Sequence, residues 1–417
     1  MNSFRILRLS AAAAIMLAPG YASAQDALAG VIQSEWESGF DAQSQISRPV
    51  NTSTPILSPQ TVPAMEQALY AYQDLVARGG WNSVPAVEMR MGMRDASVVE
   101  LRRRLITSGD LRQTSGDTAA FDSYVQAAVK RFQERHGIPA DGIVGQGTLK
   151  ALNVPAHVRL SQLQTNIERI RSMGIPTERY IMVNVPGAQI EAVENGVVAS
   201  RHTAVVGKVD RQTPLLSSRV YQVNFNPFWT VPASIIKKDL IPKMQTEPNY
   251  LTEKKIRIYT QQGQELQPSQ VNWYSDEATN YMFKQDPGDL NSLGNMKLSF
   301  HNPHQVYMHD TPSKNLFESD YRFESSGCVR IHNVRELVSW VLRDNGYNRA
   351  TVDQAVRSGE RLDVDIAEGP AIFTVYFTAW TTGDGVVHFR DDIYNFDSQG
   401  MVALNQDESL IGSPVAQ

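Results

Sequence analysis

Cysteine is almost absent from this 417-residue chain, in which Cys328 is the only one. A lone cysteine cannot form a disulfide within the chain, so the fold has to rest on its hydrophobic cores. A single free thiol is either a small buried apolar side chain or a reactive group that is kept for chemistry. The residues around Cys328 have to decide between these interpretations.

The sequence also lacks a long apolar run and a strong excess of charge of either sign. Its first apolar run, residues 9–17, is far shorter than the roughly 20 residues that a membrane-spanning helix needs. The formal net charge is -5 at pH 7, which argues against general nucleic-acid binding. At roughly 150 residues per domain, the length predicts two or three folded domains.

The first residues have the pattern of a secretory signal peptide. Arg5 and Arg8 precede the short apolar run, and Ala22-Ser23-Ala24 is a small-x-small cleavage sequence. No cysteine stands directly after the cleavage site, so a lipid anchor would have no attachment point there. We expect cleavage after Ala24 and a mature protein beyond the inner membrane, without a membrane span.

Hydrophobic periodicity divides the mature chain into a polar arm, helices and a strand-rich domain. Leu160, Leu163, Ile167 and Ile170 have helical spacing, whereas residues 180–185 have the pattern of a strand. Asn195-Gly196 between two apolar runs is a strong hairpin signal. The long polar stretch inside the strand-rich domain is interpreted as a cap over the active site. The predicted boundaries are 1–24, signal peptide; 25–88, polar arm and short helix; 89–153, helical domain; 154–177, linker helix; 178–397, catalytic domain with a cap at 237–297; and 398–417, C-terminal tail.

Chemistry-bearing residues concentrate in the segment from His309 to Arg330. A strand is predicted to end near His309, and residues 325–328 read Ser-Ser-Gly-Cys. A serine-rich turn with a glycine lets the backbone approach a ligand and turn successive N–H groups inward as an oxyanion hole. A thiol on such a turn suits nucleophilic catalysis with a histidine as its base. The predicted catalytic residues are Cys328 and His309, and the predicted loop residues are Ser325, Ser326 and Gly327.

The sequence further favours the thiolate form of Cys328. Asn333 and Glu336 have the spacing of a helix start with a capping residue, which places Cys328 near a helix N-terminus. The helix dipole and the nearby Arg330 would both lower the thiol pKa from its usual value of about 8.5.

A metal site is the alternative interpretation of the histidines in this region. His301, His304, His309 and His332 lie close in sequence, and the first two have a spacing that can bind one ion. The zinc-protease pattern His-Glu-x-x-His is absent, however, and there is no cluster of cysteines. We therefore predict that the protein uses no metal and no other cofactor.

Residues 89–153 resemble the three-helix peptidoglycan-binding domain that accompanies many cell-wall enzymes. The resemblance implies wall binding or a bracing role for this unit. It rests on Asp95, Val98, Leu101, Leu105, Phe121, Asp122, Val125, Ala128, Val129, Phe132, Gln133, Gly137, Asp141, Gly142, Gly145, Thr148 and Leu152.

The segments at 309–312 and 325–330 resemble the active-site signature of the YkuD-type L,D-transpeptidases. Asp310 and Ser326 stand where many family members have Gly and His, and the periplasmic YcbB-like subgroup shares both features. Other matches to that subgroup are residues 226–232, 291–294, 315–317 and 392–395. The implied fold class is α+β multi-domain, with a small three-helix domain and a mainly β catalytic domain that carries an inserted cap subdomain.

The resemblance implies a periplasmic acyltransferase of peptidoglycan. Cys328 would form a thioester with a donor peptide stem and release D-alanine, and the amine of an acceptor stem would complete a 3-3 cross-link. The expected partners are these stems and other wall-synthesis proteins, without nucleic acid. The expected substrate-binding residues are Arg330, Tyr307, Trp229 and Asp310, with Asp310 or Ser326 orienting the His309 ring. Hydrolysis by the same thioester, attachment of proteins to the wall, and a non-catalytic binding scaffold remain open alternatives.

Overall fold

The order of secondary structure separates a helical N-terminal part from a strand-rich remainder. The computed structural model describes residues 53–112 and 118–399, so the predicted signal peptide lies outside the described residues. All described residues fall in one compact unit, 49–417. Within the described part of the chain, no helix is long and apolar enough to cross a membrane.

Ten α-helices are described, interrupted by one π-turn and four short 3-10 turns. The α-helices are α1 Thr61–Ala77, α2 Ala96–Thr107, α3 Ser123–Arg135, α4 Gln146–Leu152, α5 Ala156–Met173, α6 Ala233–Ile235, α7 Ile241–Thr246, α8 Tyr250–Glu253, α9 Val334–Val341 and α10 Arg349–Arg357. The π-turn is Ile236–Leu240, and the 3-10 turns are Pro268–Gln270, Asp276–Asn280, Lys314–Phe317 and Arg343–Asn345.

Sixteen strands are described between residues 180 and 389. They are β1 Tyr180–Asn184, β2 Gln189–Glu194, β3 Val197–Gly207, β4 Leu216–Phe225, β5 Trp229–Thr230, β6 Ile256–Tyr259, β7 Glu265–Leu266, β8 Met282–Gln285, β9 Met296–Phe300, β10 Met308–His309, β11 Phe323–Ser325, β12 Val329–Ile331, β13 Leu362–Asp365, β14 Ala371–Val375, β15 Ala379–Thr381 and β16 Val387–Phe389.

The helical domain folds around α2 and α3, and each of these helices begins at an aspartate. The Asp95 carboxylate accepts a hydrogen bond from the Ser97 N–H at 2.8 Å, and the Asp122 carboxylate accepts one from the Val125 N–H at 3.0 Å. Such caps satisfy backbone donors that have no partner inside the helix. The helical spacing of the apolar residues then builds one core, from Val98, Leu101, Leu105, Phe121, Val125, Val129, Phe132 and Leu152. The predicted helical domain is confirmed.

The main sheet closes on itself through strand β3, which is long enough to pair with different strands along its length. Its hydrogen-bonded order runs β3-β12-β10-β9-β4-β14-β1-β2, and β2 returns to pair with β3. Two further strands are attached: β11 lies beside β3, and β13 lies beside β4. The interior holds the largest apolar core, closed by α9 and α10. The predicted mainly β domain is confirmed.

A second core forms on the outer side of β1, β2 and β14, where helices α1 and α5 pack. Asn166 on α5 is fully buried and binds Thr378 twice: its amide donates to Thr378 Oγ at 2.7 Å, and its oxygen accepts from the Thr378 N–H at 2.9 Å. A buried amide whose donor and acceptor are both hydrogen-bonded is stabilising, because these bonds replace the ones that its polar groups would make to water. The linker helix is therefore an integral part of the fold.

The segment that interrupts the strand pattern has its own four-stranded sheet, ordered β5-β8-β6-β7, and its own apolar core. This sheet begins at Trp229, which is eight residues before the predicted start of the cap at residue 237. Main-sheet pairing resumes in β9 at Met296. We use the name "cap" below for residues 229–285.

Two local predictions are wrong. Asn333 does not cap helix α9 with its side chain, because it adopts a left-handed conformation (φ 52°) to turn the chain from β12 into the helix. The sequence pattern also indicates a strand over residues 305–308, but only its last residue is paired, in β10. The Asn302 side chain ties the preceding residues into a turn, since it bonds both the N–H and the carbonyl of Val306.

Candidate active site

The nucleophile turn, residues 326–328, crosses the end of strand β3. Strand β11 pairs with β3 on one edge and β12 pairs with it on the other, so the three residues connect the two edges. Gly327 has a φ of 107°, which side-chain-bearing residues rarely adopt. The Gly327 N–H donates to Ser325 Oγ at 3.2 Å, and Ser325 Oγ donates to the Cys328 carbonyl at 2.5 Å. The turn is therefore fixed from within.

His309 is placed by the pairing of β10 with β12, which sets it opposite Arg330. Its Nδ1 lies 2.5 Å from the Asp310 carbonyl oxygen. A carbonyl can only accept, so Nδ1 carries the proton and Nε2 keeps a free lone pair, as a general base requires. Burial and then the positive charge of Arg330 lower the His309 pKa to about 3, so the imidazole is neutral at pH 7.

The thiol of Cys328 is not a thiolate at rest, and the sequence prediction on this point is wrong. Cys328 is partly exposed because it faces a cavity, but protein surrounds it on the remaining sides. Burial raises the Cys328 pKa to about 11, although hydrogen bonds from Tyr307 and the charges of Lys297 and Arg330 act in the opposite direction. The resting pair is thus a neutral thiol and a neutral imidazole.

Tyr307 acts on the charge of the nucleophile, a role that the sequence did not indicate. Its hydroxyl accepts a hydrogen bond from Trp229 Nε1 at 3.0 Å, and its backbone and its hydroxyl both lower the Cys328 pKa. The phenol therefore connects the indole of the cap to the electrostatics of the sulfur. Lys297 adds a cation 4.7 Å from the centre of the Tyr307 ring. Tyr307 and Lys297 therefore limit the rise in the Cys328 pKa that burial causes.

A cavity of about 290 Å³ opens above Cys328, and the cap supplies one of its walls. Its other walls come from the nucleophile turn and from the segment around Tyr307. Arg330 lines the cavity, and its Nε–H is buried without a hydrogen-bond partner in the part of the chain that the structure describes. A buried unpaired donor next to the thiol is suited to an anionic or carbonyl oxygen of a ligand.

Arg211 and Thr213 also belong to the site, although no sequence motif pointed to them. Arg211 donates to Asp239 of the cap at 2.6 and 2.9 Å, and to Ser326 Oγ of the nucleophile turn at 2.9 Å. Thr213 Oγ donates to the Gly327 carbonyl at 2.9 Å. Both residues lie in the loop between β3 and β4, which the fold brings to the nucleophile turn. Their place in the site follows from the strand pairing of the main sheet and not from any short motif.

The structure brings most of the predicted site residues together but separates others. Cys328, His309, Ser325, Ser326, Arg330, Tyr307 and Trp229 line the cavity. The Asp310 side chain does not: it is buried and bonded to Lys314 and to the Asn295 N–H. Its backbone carbonyl orients His309 instead. In the described ranges, no three His, Cys, Asp or Glu side chains are grouped so that they could hold a metal ion.

Two parts of the chain match known domain families. Residues 178–366 match the YkuD family, described as "L,D-transpeptidase catalytic domain". Residues 94–152 match PG_binding_1, described as "Putative peptidoglycan binding domain". Both resemblances noted in the sequence are thereby confirmed, whereas the YcbB-like subgroup stays a prediction.

One curated relative and several solved structures are similar to this chain. A Haemophilus influenzae protein described as "Putative L,D-transpeptidase" is 32% identical over 249 residues, which are 59% of this chain. The chain spans about half (50%) of that relative's length.

The L,D-transpeptidase structure from Xylanimonas cellulosilytica covers 70% of this chain and 98% of its own, at 15% identity and a TM-score of 0.23. The L,D-transpeptidase structure from Stackebrandtia nassauensis covers 70% of this chain and 96% of its own, at 13% identity and a TM-score of 0.25. Likenesses at these scores carry no argument about function.

Proposed function

We propose that this protein forms 3-3 cross-links in peptidoglycan through a thioester on Cys328, and the match of residues 178–366 to the L,D-transpeptidase catalytic domain supports this proposal. The observation that carries the proposal is that Cys328 and His309, both neutral, line one cavity beneath a cap together with Tyr307. Both partners have the protonation state that a concerted attack needs, with a proton on sulfur and a free lone pair on Nε2.

In the first step, Cys328 Sγ attacks the carbonyl of the bond between diaminopimelate and the terminal D-alanine of a donor stem. His309 Nε2 takes the thiol proton as the carbon–sulfur bond forms. When the carbon–nitrogen bond breaks, the same nitrogen returns the proton to the departing D-alanine amine. The acyl group remains on Cys328 as a thioester.

In the second step, the side-chain amine of an acceptor diaminopimelate attacks the thioester. His309 removes a proton from this amine, and Cys328 leaves as a thiolate that recovers the proton. The Tyr307 hydroxyl donates to sulfur and stabilises the thiolate during its departure. The product is an amide between two diaminopimelate residues.

Charge on the tetrahedral oxygen needs donors near the nucleophile. The Gly327 N–H already donates to Ser325, so the Cys328 N–H is the better candidate within the turn. Arg330 supplies a buried, unpaired Nε–H on the cavity wall and would bind either this oxygen or a carboxylate of the stem. Loss of one such donor typically slows acyl transfer about 100-fold.

The cap favours an amine over water as the acceptor. Trp229, Pro232, Ile235 and Asp239 of the cap line the cavity and shield the thioester. Excluding water limits hydrolysis of a reactive intermediate. The N-terminal pattern and the peptidoglycan-binding domain support the proposal that the enzyme acts outside the cytoplasm, in the periplasm, on peptide stems of the wall.

The test is mass spectrometry of the purified mature protein after incubation with a disaccharide-tetrapeptide, and separately with a carbapenem. We expect a dimeric muropeptide that has lost one D-alanine, and a drug adduct on Cys328. Cys328→Ala is the matched control, and the chain has no other cysteine that could carry an adduct.

Each alternative has its own result. A tripeptide without dimer would identify a carboxypeptidase, in which water resolves the thioester. A stem transferred to an added protein would identify wall-protein attachment. If wild type left substrate and Cys328 unchanged but still bound stems, the domain would be a binding scaffold and the proposal would be wrong.

A further inference from the structure

A second cavity lies between the helical domain and the β domain. It has a volume of about 260 Å³ and shares no lining residue with the cavity at Cys328. The helical domain contributes residues 136–139, Gly147 and Lys150, and the β domain contributes residues 186–188 and 320–323. The domain that matches the peptidoglycan-binding family therefore supplies one wall.

Cationic side chains outnumber anionic ones around this cavity. Lys150, Arg159, Arg322 and Arg390 line it, and the acidic residues that line it are Asp320 and Asp391. Lys150 pairs with Asp391 at 2.6 Å, and the Lys150 side chain is 71% exposed, so this pair lies at the solvent-facing rim. Arg159 is buried, and Asp320 acts on Arg322, but four cationic and two anionic side chains leave the cavity with a net positive charge.

Two of these arginines bond only neutral acceptors among the described residues. Arg159 donates to the Gln162 side chain at 2.8 Å and to the Ala151 carbonyl at 3.3 Å. Arg390 donates to the carbonyls of Arg135 at 3.0 Å and Phe389 at 2.7 Å. No carboxylate within this part of the structure forms an ion pair with either side chain, although a buried guanidinium usually has one.

Arg159 and Arg322 each have an N–H donor without a hydrogen-bond partner among the described residues. Arg159 is 3% exposed, and its Nε–H has no hydrogen-bond partner in the described ranges. The same holds for the Arg322 Nε–H. Burial lowers the pKa of Arg159 and of Arg390 to about 10 each, and the charge of Arg322 contributes to the shift at Arg390. An anion in the cavity would relieve both the unmet donors and the mutual repulsion.

The backbone is shaped to accommodate this arrangement. Gly137 has a φ of 68°, and a Cβ there would lie 2.5 Å from Arg390 Nε, so only glycine leaves room for this guanidinium. On the opposite wall, Arg322 and Phe323 lead into β11, which ends at Ser325 beside the nucleophile turn. A ligand in the cavity would thus contact the segment that leads to Cys328.

We propose that this interdomain cavity binds a carboxylate of a peptidoglycan peptide stem through Arg159, Arg322 and Arg390. The choice of a stem rests on the proposed function, whereas the anionic character of the ligand rests on the charges of the cavity itself. The enzyme would then hold one stem at Cys328 and a second stem, or a neighbouring part of the wall, at the interdomain cavity.

The experiment is calorimetric titration of a stem tripeptide into the full mature chain with Cys328→Ala, which removes turnover. Gly147 lines the cavity and has open space around its Cβ position, so Gly147→Phe would fill the cavity without removing a charge. Gly147→Ala is the matched control, and Arg322→Gln is a second variant that leaves the buried Arg159 intact. We expect two stems bound per chain in the control. With Gly147→Phe we expect one, or an affinity at the second site that is at least about tenfold weaker.

Equal binding by Gly147→Phe, Arg322→Gln and the control would overturn the inference. A stem with amidated carboxylates that bound as tightly as the free acid would exclude carboxylate recognition. Inorganic phosphate that displaced the stem at equal concentration would reassign the cavity to phosphate anions, which also overturns the assignment to stems. Failure of turnover in wild type, with binding still sensitive to Gly147→Phe, would remove the proposed function and leave the cavity site standing.

Discussion

Tyr307→Phe tests how the site manages charge on sulfur. The substitution removes the hydroxyl that lowers the Cys328 pKa and keeps the ring that lines the cavity. A hydrogen bond to a charged group is worth about 1.5–3 kcal/mol. At about 1.4 kcal/mol per pKa unit, the Cys328 pKa should rise by roughly one to two units above its value of about 11.

The consequence can be measured as a rate of thiol alkylation. With a pKa of about 11, roughly one Cys328 in a thousand is a thiolate at pH 8, and the logarithm of the rate should rise linearly with pH up to about pH 10. In Tyr307→Phe the rate at each pH should be about 10- to 100-fold lower. Intact-mass detection of iodoacetamide adducts is unambiguous, because Cys328 is the only cysteine.

Tyr274→Phe is the matched control, since Tyr274 lies in the cap and is 83% exposed. Its alkylation rate should equal that of wild type. A plateau of the wild-type rate between pH 6 and 8 would reveal a preformed thiolate and refute the neutral pair. A Tyr307→Phe rate within twofold of wild type, in a folded protein, would refute the hydrogen bond from the phenol.

Three further predictions concern the cap, the acid stability and the linker helix. Arg211→Ala should lower the rate of Cys328 acylation about tenfold, because it removes the bonds that hold both Asp239 and the nucleophile turn. Asp239→Asn should lower the rate less. If stopped-flow acylation gave the same rate for Arg211→Ala as for wild type, Arg211 would not link the cap to the turn. His388 is buried and its pKa lies well below 6.5, so the unfolded chain binds its proton first and the free energy of unfolding should fall as the pH drops below about 6.5. In urea unfolding, His388→Gln should remove this part of the loss, and an unchanged pH dependence would contradict it. Asn166→Ala should cost about 2–3 kcal/mol in the same assay, because the buried Thr378 N–H loses its acceptor, and a change below about 0.5 kcal/mol would contradict that.

Local sequence signals predicted the elements that depend on neighbouring residues. The helical spacing of Leu163, Ile167 and Ile170 predicted helix α5, and Asn195-Gly196 predicted the β2–β3 hairpin, because periodicity and turn chemistry are local properties. The motif residues His309 and Cys328 were likewise identified from short segments. Both of these residues line the same cavity.

The protonation state and the supporting contacts could not be predicted in the same way. The thiolate expected at Cys328 depended on a helix end and on Arg330, but the desolvation caused by the cap and the closed sheet outweighs both. Arg211 reaches the site because β3 and β4 end beside the nucleophile turn, which no short motif encodes. Desolvation and long-range contacts of this kind depend on tertiary structure, so the sequence around one residue does not predict them.

The crossing of residues 326–328 over β3 has a consequence for chain length. Strands on opposite edges of a third strand lie roughly 9.5 Å apart, and the four steps from Ser325 to Val329 reach at most roughly 14 Å. Deleting one residue would leave a reach of roughly 10–11 Å, a nearly taut segment that could no longer bend Cys328 toward the cavity. Related enzymes should therefore vary in the amino-acid composition of the nucleophile turn but not in its number of residues.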